Sequence, residues 1–194
     1  LVKWIVLSAL VGSVVGVIAS GFAHVISLVT EFRIGHPFMI LGLPLGGMLV
    51  VYLYKLGGQE KNSGTNMILD TVRTPKGEMP LVIAPLILIA TTVTHMFGGS
   101  SGREGAALQF GASVGSFFGR ILKLNESDRK IIMLSGMSAA FAALFGTPMA
   151  AAIFPMEVTS VGVMYYGALV PCVFSAFIGE YVSVLLKVRT LKIP

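Results

Sequence analysis

Long apolar stretches separated by short polar joints run along the whole chain. Four of them are long enough to cross a bilayer as helices, since one crossing needs about 20 residues, and a fifth is near the lower limit. The four long stretches are Leu1–Leu28, Met79–Phe97, Ile131–Met156 and Val161–Leu186, and the fifth is Phe38–Tyr54. The pattern therefore predicts an all-α bundle of membrane-spanning helices.

Two shorter pieces, Gly64–Val72 and Glu104–Gly119, lie between these stretches. The segment Gly105–Gly119 has about 15 residues, fewer than a full crossing needs. We expect both pieces to be broken or re-entrant helices, which a bilayer tolerates only where protein or water surrounds them. The glycine-rich turn before the second piece should then lie at depth in the bilayer. Interrupted helices of this kind are the best sequence indication of a transporter's binding site.

The composition supports a membrane protein. Of the 194 residues, 55% are hydrophobic and only 12% are charged, whereas soluble domains carry about 25% charged residues. The chain is expected to be integral and multi-pass, in the cell membrane if its source is bacterial. The net charge of +5 resides in short polar joints, so it does not indicate nucleic-acid binding. The single cysteine, Cys172, and three scattered histidines suit no metal site, and no cofactor is expected.

Glycines four residues apart recur in the apolar stretches, which places them on one helix face and allows close backbone approach. This spacing occurs at Gly12 and Gly16, at Gly42 and Gly46, and at Gly111, Gly115 and Gly119. We interpret these rows as packing surfaces. Pro148 follows Phe145-Gly146-Thr147 and predicts a break between two helices there. Residues 1–194 are expected to form a single membrane unit.

The strongest candidate for chemistry is Glu104, in the octapeptide Gly98-Gly99-Ser100-Ser101-Gly102-Arg103-Glu104-Gly105. Backbone amides at a helix start are unpaired and the helix dipole makes that end positive, so an anion is stabilised there. A tethered carboxylate would compete with a free anion, and protonation would release it. The simpler alternative is a capping acid paired with Arg103. Arg103 is either a brace for the turn or a direct anion ligand.

The second candidate is Ser63-Gly64-Thr65-Asn66, which opens the other short helix. Thr65 offers a hydroxyl donor and Asn66 an amide, although these residue types also serve as ordinary helix caps. Glu157, at the end of an apolar run, is either a proton relay or a structural or interfacial acid. Asp70 and Glu180 are expected to face water or a loop.

A rival interpretation is an intramembrane serine hydrolase, because Gly98–Gly102 satisfies the G-x-S-x-G pattern. Ser100 or Ser101 would be the nucleophile and His95 or His24 the base. The pattern requires a strand before the turn and a helix after it, whereas Met79–Phe97 predicts a helix. We therefore favour an anion site without covalent chemistry.

Three stretches together resemble the CLC family of chloride channels and anion/proton antiporters. GGSSGREGAALQFGASVGSFFG resembles the family's G-[K/R]-E-G-P segment, MLSGMSAAFAALFGTPMAAAIFPMEV resembles the stretch ending in F-N-A-P-L-A-G-x-x-F-x-x-E, and SGTNMILD occupies the place of G-S-G-I-P. Their order and spacing agree with the family. The resemblance covers nearly the whole chain, but only the first of the family's two inverted halves.

The resemblance implies a function as well as a fold. Glu104 would be the gating glutamate, and the amides from Gly102 through Arg103 and Gly105 to Ala106 would line the outer anion site. Thr65, flanked by Gly64 and Asn66, would stand where the family's central serine contacts the anion. The substrate would be chloride or fluoride, with or without proton coupling, and the full-length protein would be a homodimer in the lipid bilayer with one pore per subunit.

Three departures from the family pattern bear on the substrate. Ala106 replaces the expected proline, and Gly64-Thr65-Asn66-Met67-Ile68 lacks the second glycine and the proline of G-S-G-I-P. Val158 follows Glu157 where many proton-coupled relatives carry an inner glutamate. Together these changes resemble the fluoride-exporting branch. A chloride-conducting channel without proton coupling is the alternative.

Overall fold

Eight α-helices and two short 3-10 turns form the part of the chain that the structure, a computed structural model, describes: residues 2–60, 64–74, 77–158 and 165–188. The helices are α1 (Val2–Gly35), α2 (Leu43–Leu56), α3 (Thr65–Arg73), α4 (Ile83–Met96), α5 (Arg103–Ile121), α6 (Glu126–Phe145), α7 (Pro148–Val158) and α8 (Leu169–Leu185). The 3-10 turns are Pro37–Gly42 and Tyr166–Ala168. Within these ranges there is no strand, as predicted for an all-α protein.

Three helical segments of the described residues are long and apolar enough to cross a bilayer: Val2–Gly35, Pro37–Leu56 and Tyr166–Leu185. With 34 residues, α1 is about 51 Å long, so it exceeds the hydrocarbon core of about 30 Å unless it is strongly tilted. The prediction of a multi-pass integral membrane protein is confirmed.

Helices α1, α5, α6 and α8 pack around the centre of the molecule, and glycine faces bring their backbones together. A β-carbon on Gly111 would lie 2.6 Å from the Gly136 carbonyl oxygen, and one on Gly115 would lie 2.6 Å from that of Ile132. On α1, a β-carbon at Gly12 would lie 2.9 Å from the Ser175 oxygen of α8. These distances leave no room for any side chain. The predicted packing role of the glycine rows is therefore confirmed.

Buried hydroxyl groups join α8 to α6. The Ser175 hydroxyl donates to the carbonyl of Ser135 at 2.7 Å, and the Ser183 hydroxyl donates to that of Ala143, also at 2.7 Å. Both pairs are 40 residues apart in sequence, so the two helices run parallel in a fixed register. Because lipid tails give apolar helices no hydrophobic reason to associate, close packing and such hydrogen bonds hold the bundle together.

The predicted lengths of two helices were wrong. Helix α5 has 19 residues, about 28 Å, so the argument that its shortness places the preceding turn at depth does not hold. It continues through Arg120 and ends only where Lys123 takes a positive φ of 49°. Conversely, α4 has 14 residues, about 21 Å, because Met79 and Pro80 lie before the helix and bond to α5 instead. There the Met79 amide donates to the Ser116 hydroxyl at 3.1 Å, and the Ser113 hydroxyl donates to the Pro80 carbonyl at 2.7 Å.

Other boundaries follow the sequence more closely. The break before Pro148 is confirmed: Gly146 is left-handed, with φ of 67°, and Pro148 begins α7. Helix α6 begins at Glu126, five residues before the predicted apolar stretch, since charged residues occupy its first turn. Residues 161–164 of the predicted last stretch lie outside the described residues. Helix α3 is short, as predicted, with 9 residues.

Charged side chains cluster at the end of the bundle where α1 and α6 begin and α5 ends. Lys3 contacts Asp128, and Glu78 contacts Arg129 and lies 4.0 Å from Arg120. These groups are partly exposed, so each pair stabilises the fold only slightly. These charged groups indicate that this end of the bundle faces water. The last residues of α1 lie at the opposite end.

Replacing Gly115 by alanine should destabilise the bundle, because the new methyl group meets the backbone oxygen of Ile132 and neither helix can yield locally. Overpacking of this kind costs about 1–3 kcal/mol. The matched control is Gly21→Ala on α1, where a β-carbon meets nothing within 4 Å. That change should be neutral or stabilise by up to about 1 kcal/mol. Unfolding by SDS titration measures both. Equal stabilities of the two variants would contradict the packing account.

Candidate functional site

The starts of α3 and α5 lie beside each other. A β-carbon on Gly105, in the first turn of α5, would lie 3.4 Å from the hydroxyl oxygen of Thr65, the first residue of α3. Two segments that are 40 positions apart in the chain thus meet at their amino-terminal ends. The structure brings together Thr65 and Gly105, two residues that the sequence analysis named as anion-binding candidates.

Glycine precedes both helices at the N-cap position. Gly64 has φ of 65° and ψ of −130°, a conformation that side-chain-bearing residues rarely adopt. Gly102 is extended, with φ of −64° and ψ of 130°. Neither residue has a side chain to accept from the first-turn amides, and the first amides of a helix have no partner within it. The aligned peptide dipoles add partial positive charge at the same two ends. Both helix starts therefore favour a negative charge.

Glu104 occupies the second position of α5 and is exposed in this chain. Its Oε2 atom lies 2.8 Å from the place where a β-carbon on Gly102 would stand, so the carboxylate folds back over its own helix start. A glycine at position 102 is what leaves this space open. No salt bridge to Glu104 occurs among the described residues. Glu104 therefore makes no ion pair with Arg103, and a capping acid at the start of α5 stays the alternative to a gate.

The remaining residues predicted to bind the anion are Arg103, Asn66 and Ala106. Arg103 is half-buried and makes no side-chain hydrogen bond or ion pair within the described ranges, so it does not brace the turn through carbonyls as expected of a structural arginine. Asn66 is exposed on the first turn of α3, one residue beyond Thr65. Ala106 is buried inside the bundle, with 2% of its surface exposed, so its backbone rather than its side chain is near the site.

The turn that carries the α5 start is anchored by Phe97, which the sequence analysis did not single out. Its ring fills a notch at the start of α2, where β-carbons on Gly42, the residue before α2, and on Gly46 would lie 2.7 Å and 2.5 Å from ring atoms. After it, Gly98 has φ of 82° and the Gly99 amide donates to the Thr94 carbonyl at 2.8 Å. The signal in the sequence was an aromatic residue directly before a glycine-rich turn, together with the glycine pair Gly42 and Gly46 at the start of α2.

Other predicted candidates stand apart from this pair of helix starts. Glu157 is exposed in the last turn of α7 in this chain, and its role as a proton relay or a structural or interfacial acid stays a prediction. Asp70 is exposed, as expected, and Glu180 is half-buried.

The serine-hydrolase interpretation gains no support from the geometry. Ser100 is exposed, and neither Ser100 nor Ser101 hydrogen-bonds to a histidine in the described part of the chain. The Nδ1 atoms of His24 and His95 are instead 2.9 Å from the backbone carbonyls of Ser20 and Thr91 in their own helices. No group of three or more His, Cys, Asp or Glu residues among those described is arranged to hold a metal.

Comparison with known proteins identifies the family. Residues 46–191, three quarters of the chain, match the family described as voltage gated chloride channel. The chain belongs to the CLC family. This confirms the resemblance drawn from the glycine-rich turn and the two neighbouring motifs, and it agrees with a channel or transporter rather than a hydrolase.

CLC relatives match across most of the chain. A chloride/fluoride channel protein of Pseudomonas syringae pv. tomato is 39% identical over 181 residues, which cover 93% of this chain and 40% of the relative. An uncharacterized protein of Methanocaldococcus jannaschii is 25% identical, covering 97% of this chain and 46% of the relative. The chain thus spans less than half the length of the relatives it matches.

Two solved antiporter structures share the fold. A crystal structure of a CLC-type fluoride/proton antiporter superimposes with a TM-score of 0.91 at 32% identity, covering all of this chain and 49% of that one. A slow cyanobacterial Cl⁻/H⁺ antiporter gives a TM-score of 0.68 at 20% identity, covering 95% of this chain and 47% of that one. The second likeness concerns the fold alone. The predicted fold, an all-α membrane bundle of the CLC type, is confirmed.

Gly46→Ala should displace Phe97 and with it the turn that leads to the α5 start, because the new β-carbon would lie 2.5 Å from the ring. We expect a loss of stability of about 1–3 kcal/mol from this overpacking. Gly47→Ala is the control on the same helix, where a β-carbon meets nothing within 4 Å. Thermal unfolding in detergent compares the two. If both variants melt together, Phe97 does not anchor the turn.

Proposed function

We propose that this chain is the first of two inverted halves of a CLC-type anion transporter, and that it binds the anion between the starts of α3 and α5. The observation that carries the proposal is the meeting of these two glycine-capped helix starts, with the Thr65 hydroxyl beside Gly105. Family membership supports it independently. The proposed donors are the Thr65 hydroxyl and the amides at the two helix starts, those of Thr65 and Asn66 and those of Gly102 through Ala106.

Glu104 acts as the gate in this proposal. Its carboxylate already lies over the α5 start, where the helix dipole and unpaired amides favour negative charge. A free anion seeks the same position, so the two compete. Protonation of the carboxyl removes its charge and thus its reason to stay, which admits the anion. One residue thereby links proton binding to anion occupancy, with no covalent step, metal or cofactor.

Fluoride is the substrate we favour. The 39%-identical relative is named a chloride/fluoride channel protein and the 32%-identical structure is a fluoride/proton antiporter, and both names support this choice. A small ion of high charge density gains most from several short hydrogen bonds, which suits a site made of amides and one hydroxyl. Protons are the proposed coupled ion.

The chain contributes only part of the binding site. Glu104 and Asn66 are exposed here, which leaves one side of the helix starts open. In a complete transporter, a second half of inverted topology would supply further donors on this side. The whole protein is expected to be a homodimer in the bilayer, with one pore per subunit.

Glu104→Gln should abolish proton coupling while some anion movement remains. The reason is that an amide of the same shape neither gains nor loses a proton near neutral pH. The measurement is simultaneous fluoride and proton flux in proteoliposomes that contain the native protein, with any sequence that flanks these residues. The ratio of protons to fluoride should fall from a fixed value to near zero.

The control is Glu126→Gln, an exposed acid at the start of another helix, α6, where Asn125 already provides a side-chain cap. Its flux ratio should match that of the unmodified protein. Unchanged proton flux in Glu104→Gln would remove Glu104 from the gate. Loss of coupling in both variants would point to a general defect rather than a specific carboxyl.

Thr65→Ala should alter the preference between fluoride and chloride. Loss of one hydrogen bond to a charged group costs about 1.5–3 kcal/mol, so fluoride affinity should fall on the order of tenfold or more, and chloride affinity should fall less. Thr65→Ser keeps the hydroxyl and should retain the preference. Relative fluoride and chloride flux in proteoliposomes decides the matter. A selectivity that is identical in all three proteins would exclude Thr65 from the site.

A further inference from the structure

Basic side chains gather at the end of the bundle where α1 and α6 begin and α5 ends. Residues 2–5, 77–78 and 119–130 form this end, and their charged side chains are five cations and three acids. We call the five cations the basic rim: Lys3, Arg120, Lys123, Arg129 and Lys130. The acids are Glu78, Glu126 and Asp128. The basic rim thus has two positive charges more than the neighbouring acids balance.

Ion pairs within this end leave part of the positive charge of the basic rim unpaired. Glu78 contacts Arg129, and Arg120 lies at the longer distance of 4.0 Å from the same carboxylate, so one acid serves two arginines. Lys123 and Lys130 form no ion pair with any residue in the described ranges. Lys130 is half-buried and Lys123 is exposed, so the Lys123 ammonium in particular is open to a ligand.

The backbone at Lys123 has a conformation that is strained for a lysine. Its φ is 49°, and the following amide, that of Leu124, donates to the Gly119 carbonyl at 3.0 Å. This left-handed helix ending usually carries glycine, because a β-carbon is crowded there. A lysine at this position therefore lowers the stability of the fold relative to glycine. A side chain that is present despite such strain points to a role beyond folding.

Apolar and aromatic side chains place the basic rim at the headgroup level of a bilayer. Ile121 and Leu122, directly before Lys123, are 58% and 42% exposed. Trp4 is half-buried, and the Lys3 ammonium lies 5.3 Å from the centroid of its ring. Tryptophan is enriched at membrane–water interfaces, where lysine extends its stem along apolar surface and its ammonium toward the polar side. The basic rim therefore adjoins a surface that suits acyl chains.

We propose that the basic rim binds the phosphate headgroup of an anionic phospholipid, with Lys123 on the phosphate and Ile121 and Leu122 against an acyl chain. The excess positive charge complements the headgroup, and each basic residue near an anionic membrane surface raises affinity about fivefold. A nucleic acid or an acidic soluble protein would match the charge alone, whereas a lipid matches both the charge and the adjoining apolar residues. This inference is independent of the proposed anion pathway.

The test is native mass spectrometry of the purified native protein in detergent, titrated with phosphatidylglycerol or with phosphatidylcholine. The apparent affinity for the first phosphatidylglycerol should exceed that for the first phosphatidylcholine. Lys123→Gln removes the charge and keeps the left-handed backbone, and it should lower the phosphatidylglycerol affinity about fivefold. Lys123→Gly also relieves the strain, so the same loss of affinity should accompany an equal or higher melting temperature. This combination distinguishes a lipid ligand from a lysine that only ends its helix.

Lys187→Gly is the matched control. Lys187 also follows the end of a helix, α8, with φ of 55° and two exposed leucines before it. It lies at the opposite end of the bundle, because α8 runs parallel to α6. This variant should bind phosphatidylglycerol as the unmodified protein does. Equal affinity for the two lipids, unchanged phosphatidylglycerol affinity in both Lys123 variants, or an equal loss in the control would overturn the proposal. Displacement of the lipid by inorganic phosphate would also overturn it, since free phosphate would then be the occupant.

Discussion

The close contact between α5 and α6 is the constraint on which the rest of the structure depends. Gly111 and Gly136 face each other so closely that each would clash with the other's carbonyl if it carried a side chain. Because α5 is clamped along its length, its start has a fixed position relative to α3 and the preceding turn. Because the helix is already held in place, binding of a ligand to its first amides requires little further loss of conformational entropy.

The same contact explains why small residues dominate the centre. In a bilayer, apolar side chains gain little by leaving lipid for protein, so helices associate through backbone proximity and interhelical hydrogen bonds. Helix α6 is buried continuously from Ile131 to Ala140, and the hydroxyls of Ser135 and Ser138 donate to carbonyls of α6 itself, those of Ile131 and Leu134. Three aromatic residues of α8, Phe174, Phe177 and Tyr181, are exposed on the outside of the bundle.

The sequence predicted those features that local chemistry determines. The break at Gly146 and Pro148, the short α3 and the glycine faces each follow from residues within one turn of one another. The misjudged elements depend on distant partners. Helix α4 begins late because Met79 and Pro80 bond to Ser116 and Ser113 on another helix. The basic rim likewise depends on the fold, because it includes Lys3 beside Asp128, which is 125 positions away in the chain.

The two kinds of helix start in this molecule differ in a way that bears on function. At the start of α6, the Asn125 side chain accepts from the Asp128 amide at 2.8 Å, and acids occupy the first turn, so its demand for negative charge is already met within the element. At the starts of α3 and α5 the cap is glycine, and no cap side chain meets that demand. Among the described residues, the Glu104 carboxylate lies over the start of α5. A helix start that needs stability alone would be capped as α6 is. Two adjacent starts with glycine caps cost only about a few tenths of a kcal/mol each relative to side-chain caps, and they leave room for the exchangeable anion that we propose completes the cap.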